Sequence, residues 1–177
     1  KYLNTDSWPY PAGNTVEKIN ISSNQVEVSI VISNNPDLII YHNNYLYISS
    51  QTGDWPDYEY LTQKVDPSTN QLIYSVNHGG EFSLGADFAL HNGTLYRSYD
   101  KGIISFNDDL TLDESSYIGA SNTNSLYSMD INNGMIYLGF SDYTSPDDII
   151  ILDFDGNELG TYQVGANPGS FAFWTSE

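Results

Sequence analysis

Stretches in which apolar and polar residues alternate run along the whole chain, as in "VEVSIVI" (26–32), "YLYIS" (45–49) and "ELGTYQV" (158–164). A period of two is the pattern of a half-buried strand, and no stretch sustains the 3.6-residue apolar period of a helix. The expected class is therefore all-β, with helices few or absent. Between the alternating runs lie Asn-Asn, Asn-Gly, Asp-Gly-Asn and Asp-Pro-Ser-Thr-Asn clusters. These residues accept positive φ or initiate turns, so they mark hairpins.

The hairpins recur. "HNNYLYIS" (42–49), "HNGTLYRS" (91–98) and "NNGMIYLG" (132–139) are variants of one unit, and the opening "KYLNTDS" matches its second half. Aligning Tyr2, Tyr47, Tyr96 and Tyr137 gives spacings of 45, 49 and 41 residues. A four-stranded propeller blade takes roughly 40 to 50. Strand A precedes each hairpin turn, as "PDLIIY", "GADFAL" and "LYSMDI", and strand B follows it. Strands C and D then pair across a tight turn, as in "YLTQKV-DPSTNQ-LIYSV" and "DIIILDF-DGN-ELGTYQV". The expected fold is a β-propeller of four-stranded antiparallel blades with four repeats present, near 1–35, 36–84, 85–125 and 126–168. "PGSFAFW" (168–174) predicts one more strand A, so that 169–177 starts or closes a blade. If the ends meet, the last spacing back to Tyr2 is 42. The alternative is part of a seven- or eight-bladed ring, with further blades from additional sequence or a second chain.

Charge narrows the partners. Twenty-three acids face five lysines and arginines, a formal net charge of −18. Such a surface repels phosphate, which argues against nucleic acid and anionic membrane surfaces. The chain has no Cys, which removes disulfides, thiolate metal sites and cysteine nucleophiles. No apolar run approaches the roughly 20 residues of a membrane-spanning helix. Fifteen Tyr, Asn-rich turns and strong acidity resemble the composition of secreted or cell-surface β proteins.

"KINISSNQVEVSIVISNNPDLIIYHNNYLYIS" and "IILDFDGNELGTYQVGANPGSFAFW" resemble the blade signature of the YVTN-type, surface-layer-like β-propellers. In that family the outer hairpin carries "D…TN" or "D.DG", and strand D leads through "VG.NP" into strand A. "VGANPG" (164–169) fits best and "ISNNPD" (32–37) fits well, whereas "NHGGEFSLGAD" and "IGASNTNSLY" lack the proline. The resemblance implies a non-enzymatic, cell-surface protein akin to the outer-membrane lipoproteins that capture cobalamin or iron chelates for a transporter. It transfers no ligand-specific residue.

Alternating strand direction puts the B-to-C and D-to-A connections at one end of every blade and the tight turns at the other. The tight turns are uniform, as scaffold turns are. The B-to-C loops "NTDSWPYPAGN", "SSQTGDWPDYEY" and "FSDYTSPDD" instead combine rings, prolines and acids. Rigid aromatic loops offer contact area at low entropic cost. The candidate ligand-binding residues at this end are Trp8, Tyr10, Trp55, Asp57, Tyr58, Tyr60, Asp87, Tyr99, Asp142 and Tyr143, each weighed against packing on its own blade. Tyr47, Tyr96 and Tyr137 are expected to pack between blades.

No catalytic motif is present, and neither a metal site nor a cofactor is assigned. Asp153, Asp155 and Asn157 begin like a calcium loop, but the twelve-residue pattern does not continue, so a hairpin turn is expected. Asp142, Asp147 and Asp148, or Asp54, Asp57 and Glu59, are weighed as a cation cluster against solvated surface charge. His42 and His91 occupy equivalent turn positions, and His78 lies near the loop end. The functional expectation is capture of a corrinoid or iron chelate, with an outer-membrane transporter or surface protein as partner. A structural or protein-interaction propeller and a carbohydrate-binding or carbohydrate-active protein are the alternatives.

Overall fold

A computed structural model describes residues 13–33, 35–53, 57–79 and 87–174. These residues form fourteen strands and no helix, as the alternation predicts. The chain divides into two compact units, residues 1–80 with 108–111, and residues 81–107 with 112–177.

In the first unit β1 (Thr15–Asn20) and β2 (Gln25–Val31) form a hairpin. β3 (Pro36–His42), β4 (Tyr45–Thr52), β5 (Glu59–Asp66) and β6 (Gln71–Asn77) form a four-stranded sheet in chain order. The second unit holds two such sheets. One consists of β7 (Phe88–His91), β8 (Thr94–Tyr99), β9 (Gly102–Phe106) and β10 (Leu112–Gly119), and the other of β11 (Ser125–Asn132), β12 (Met135–Ser141), β13 (Asp147–Leu152) and β14 (Glu158–Val164). All pairings are antiparallel.

The recurring hairpins close as their turn residues dictate. Asn43 and Asn44 (φ 47° and 66°), Asn92 and Gly93 (47° and 80°), and Asn133 and Gly134 (50° and 72°) each supply two consecutive positive φ angles. That is the type I′ geometry, whose twist matches that of the strands it joins.

Burial falls across each sheet from inner to outer strands. β12 is largely buried on both faces, whereas β6 and β14 are mostly exposed. The first unit's core gathers Val16, Ile30, Ile32, Ile48 and Val65. In the second unit one core joins both sheets, with Ala89 and Ile103 from one and Leu126, Leu138 and Phe140 from the other. Each fully buried valine, isoleucine, leucine or phenylalanine of these cores contributes roughly 1.5–3 kcal/mol.

Of the expected inter-sheet tyrosines, Tyr96 meets Phe154 beyond β13 at 5.7 Å between centroids, and Tyr137 meets Phe173 at 4.8 Å. Tyr47 is buried beside His42 in its own sheet. The strand A expected over "PGSFAFW" does not form up to Trp174. A strand exists through its ladder, and this segment has no ladder partner among the described residues. It packs through side chains instead. The Ser128 hydroxyl donates to the Pro168 carbonyl, and a Cβ on Gly139 would lie 2.9 Å from that oxygen, so glycine is needed there.

Candidate functional site

Among the described residues, the loop end of the second unit groups exposed and half-buried polar and aromatic side chains. β8 turns into β9 through Asp100, which takes φ 48°. Tyr99, half-buried at the end of β8, meets Tyr117 of β10 edge-on at 5.8 Å and 85°. The Tyr117 hydroxyl donates to Asp100 Oδ2 at 3.2 Å. Burial first, then the Asp100 charge, pushes that phenol up to about 12. Tyr117 therefore stays a neutral donor. The Lys101 ammonium donates to the Asn124 carbonyl, tying the β8–β9 turn to the β10–β11 connection.

The neighbouring β12–β13 loop is held by a buried carboxylate. Asp147 has no exposed surface. Its Oδ2 accepts from the Asn167 N–H at 2.7 Å and its Oδ1 from the Asp142 N–H at 3.3 Å. Burial raises its pKa, but the Ser141 hydroxyl and these two N–H groups outweigh that and hold the carboxyl below its usual range. Asp142 is exposed, and its Oδ1 accepts from the Thr144 hydroxyl at 2.6 Å and N–H at 2.8 Å, which lowers its pKa. Tyr143 sits on this pinned loop at φ 67°, edge-on to Tyr127 at 6.1 Å and 56% exposed. Ser125 at the foot of β11 pairs with Ser141 at the end of β12, so the strand foot after Asn124 adjoins the loop that carries Tyr143.

The sequence candidates thus separate. Tyr99 in one sheet, and Asp142 and Tyr143 beside the other, lie at the same end of the second unit. Asp87 belongs to the scaffold: its Oδ2 accepts from the Met129 N–H of β11 at 2.9 Å, joining the two sheets. In the first unit Tyr60 is a buried β5 residue whose N–H donates to the Gly79 carbonyl at 3.0 Å. Asp57 is exposed and Tyr58 half-buried in the loop before β5. Gly53, at φ 84°, ends β4 where a Cβ would lie 2.4 Å from the Asp57 carbonyl oxygen. Trp8, Tyr10 and Trp55, with Asp54, lie outside the described residues.

The cation cluster weighed for Asp142, Asp147 and Asp148 does not assemble, because Asp147 is turned inward onto backbone N–H groups. Among the described residues no group of three His, Asp or Glu is placed to hold a metal ion. Asp153 makes the expected turn, with Oδ1 accepting from the N–H of Asp155 and of Asn157 at 2.9 and 2.8 Å. His42 closes the β3–β4 turn, and His91 stacks on Phe154 at 4.1 Å. His78 is half-buried, and its N–H donates to the Tyr60 carbonyl at 2.9 Å.

Sequence reasoning missed Tyr117 and Tyr127, which complete the two ring pairs. Their only signal was position: each lies within a few residues of a D-to-A connection. It also missed Ser49 and Ser98, whose hydroxyls accept the Leu38 and Asp87 N–H groups at 3.0 and 3.1 Å. Their signal was open, since both stand two residues after the repeat tyrosine.

No family model matches the chain, and no curated protein does. Among solved structures, hydrazine synthase of Kuenenia stuttgartiensis has a similar fold, with a TM-score of 0.66 at 13% identity. The likeness covers 86% of this chain and 44% of that one, so this chain spans less than half of the neighbour's length. At this identity the likeness concerns the fold alone.

Proposed function

We propose that the four-stranded sheets and the β1–β2 hairpin are blades of a β-propeller, and that the protein is a non-enzymatic binding module of the cell surface. Its loop end captures a small ligand, with a corrinoid or an iron chelate the class to test first. The blade reading is supported by the repeat spacing, by sheets that each run in chain order, and by the core shared between consecutive sheets in the second unit.

The binding reading rests on one observation. Two edge-on tyrosine pairs stand at strand ends and on one loop: Tyr99 at the end of β8 meets Tyr117 of β10, and Tyr127 of β11 meets Tyr143 on the β12–β13 loop, which Asp147 and Asp142 hold, while Lys101 ties the β8–β9 turn. An exposed ring on a fixed loop loses little freedom on binding, which favours contact with a flat organic ligand. Thermal unfolding with cyanocobalamin and with a ferric siderophore tests this. A ligand at a hundredfold excess over its Kd adds about 2.7 kcal/mol, or roughly 5–10 °C for a chain of this size. Tyr143→Ala removes most of that shift. No shift with a broad ligand panel, or an undiminished shift in the variant, defeats the proposal.

A further inference from the structure

A groove of about 590 Å³ lies between β10 and the β13–β14 hairpin and shares Tyr117 with the Tyr99–Tyr117 pair. Its rings are Tyr96, Tyr117 and Phe154, its hydroxyls are those of Ser115 and Ser116, and Asp155 stands at its edge. The groove exists because β10 bulges. Asp113 pairs with Ser105 and Ile118 with Ile103, so four residues of β10 bridge a gap that β9 spans with one. The Ser116 hydroxyl fills the broken ladder by accepting the Ser105 N–H at 2.8 Å.

Three of the hydroxyls in this groove are already engaged as donors. Ser115 Oγ donates to Asp113 Oδ1 at 2.6 Å, Ser116 Oγ to the Asp113 carbonyl at 2.7 Å, and the Tyr117 hydroxyl to Asp100. The Asp155 carboxylate remains as an exposed acceptor, and no lining residue is basic. A ligand carrying negative charge finds no match. A cation with an apolar stem does, because aromatic rings and carboxylates both attract it.

The repeat itself supplies the template. Residues directly opposite in an antiparallel ladder share a face. In the β3–β6 sheet the row across that face is Tyr47, Lys64, Tyr74. The Lys64 ammonium lies 4.3 Å from the Tyr45 ring centroid, 5.6 Å from Tyr47 and 6.0 Å from Tyr74. In the β7–β10 sheet the same row reads Tyr96, Ser105, Asp113. The tyrosine is kept, the lysine is cut back to serine, and a carboxylate stands where the third ring was. Tyr96 and Asp113 both stand opposite Ser105 and so flank it on one face; burial first, then the Asp113 charge, holds the Tyr96 phenol above its ordinary range. In the β11–β14 sheet the row is Tyr137, Ile151, Gly160, and Phe171 and Phe173 cover the tyrosine.

We infer that the groove beside Tyr96 binds a small primary alkylammonium, whose nitrogen takes the place that the Lys64 ammonium fills in the preceding repeat. Its charge faces Asp155 at the edge of the groove and, behind the lining Ser115, the Asp113 carboxylate that Ser115 donates to, and its methylene stem lies along Tyr96 and Phe154. The net charge of −18 attracts such a cation from solution.

Isothermal titration of the full chain with putrescine tests this at about 150 mM salt, where diffuse surface attraction is screened. One saturable site is expected. Asp113→Asn weakens it about tenfold or more, the scale of a hydrogen bond to a charged group. Ser105→Lys restores the internal ammonium and abolishes putrescine binding while circular dichroism stays that of the parent. If that variant does not fold, Asp113→Asn and Asp155→Asn carry the test. Absence of a saturable site, equal binding by the parent and the folded variants, or equal competition by magnesium ions overturns the proposal, as does binding of glucose in place of putrescine.

Discussion

Ser49 and Ser98 show how much one atom can decide in a repeat. Each stands two residues after the hairpin tyrosine, is buried, and accepts a backbone N–H, Ser49 from Leu38 of β3 and Ser98 from Asp87 just before β7. The Leu38 N–H is orphaned because β3 slips register, pairing Pro36 with Ser50 but Ile39 with Ile48, and the Asp87 N–H lies just before β7, outside its ladder. An unsatisfied buried donor costs about 1–3 kcal/mol, so Ser98→Ala and Ser49→Ala should each destabilise by that amount in urea unfolding. Unchanged midpoints would mean that water reaches those groups. The third repeat has Gly139 at this position, because Pro168 occupies the space. The recurrence of serine is visible in "LYIS" and "LYRS", whereas the orphaned N–H that needs it is not, since no side chain encodes where a ladder slips or begins. Asp147 poses the same difficulty. In "SPDD" nothing separates the acid with no exposed surface from Asp148, its half-exposed neighbour.

At the scale of elements, turn chemistry separates two kinds of glycine. Gly93 and Gly134 have positive φ and open space around a would-be Cβ, so alanine there costs backbone strain alone, about 1–2 kcal/mol. Gly53 adds a collision with the Asp57 carbonyl, so Gly53→Ala should cost more than either, and equal midpoints for the three in denaturant titration would refute this. The hairpins were legible because both the alternation and the turn residues act locally. Strands β3, β5, β6, β9, β11, β13 and β14 fall where the pattern put them. The bulge of β10 was not legible, because "DESSY" alternates no worse than its neighbours and the disruption depends on Ser116 finding the Ser105 N–H. The candidate site was legible only in part. Tyr99, Asp142 and Tyr143 were found from loop composition, but their ring partners come from different strands, and the inward turn of Asp87 and Tyr60 depends on packing.

For the molecule as a whole, charge sets a pH profile with two limbs. At pH 7 the net charge of −18 destabilises any compact state by self-repulsion, and this falls away as pH approaches the pI of about 4.1. Asp37 acts in the same direction: burial raises its carboxyl above 3.8, so its contribution is lost as pH rises through the folded value. Asp66, Asp109, Asp142, Asp147 and Asp153 act oppositely. The first-ranked cause at Asp147 is burial, which raises its pKa, but the Ser141 hydroxyl and backbone N–H groups outweigh it; at the others side-chain hydrogen bonds lead, and all five carboxyls are held below 3.8. A depressed carboxyl contributes stability that is present above its unfolded value and lost as pH falls through the folded one. The melting temperature should therefore rise from pH 7 to about pH 4.5 and drop steeply below about pH 3.5. Salt distinguishes the limbs. Sodium chloride at about 0.5 M should raise the melting temperature at pH 7, where screening relieves repulsion, and change it little at pH 4.5. Calorimetry across pH at low and high salt checks both, and a melting temperature that falls steadily from pH 7 to pH 4.5 would show that the turn aspartates outweigh the repulsion throughout.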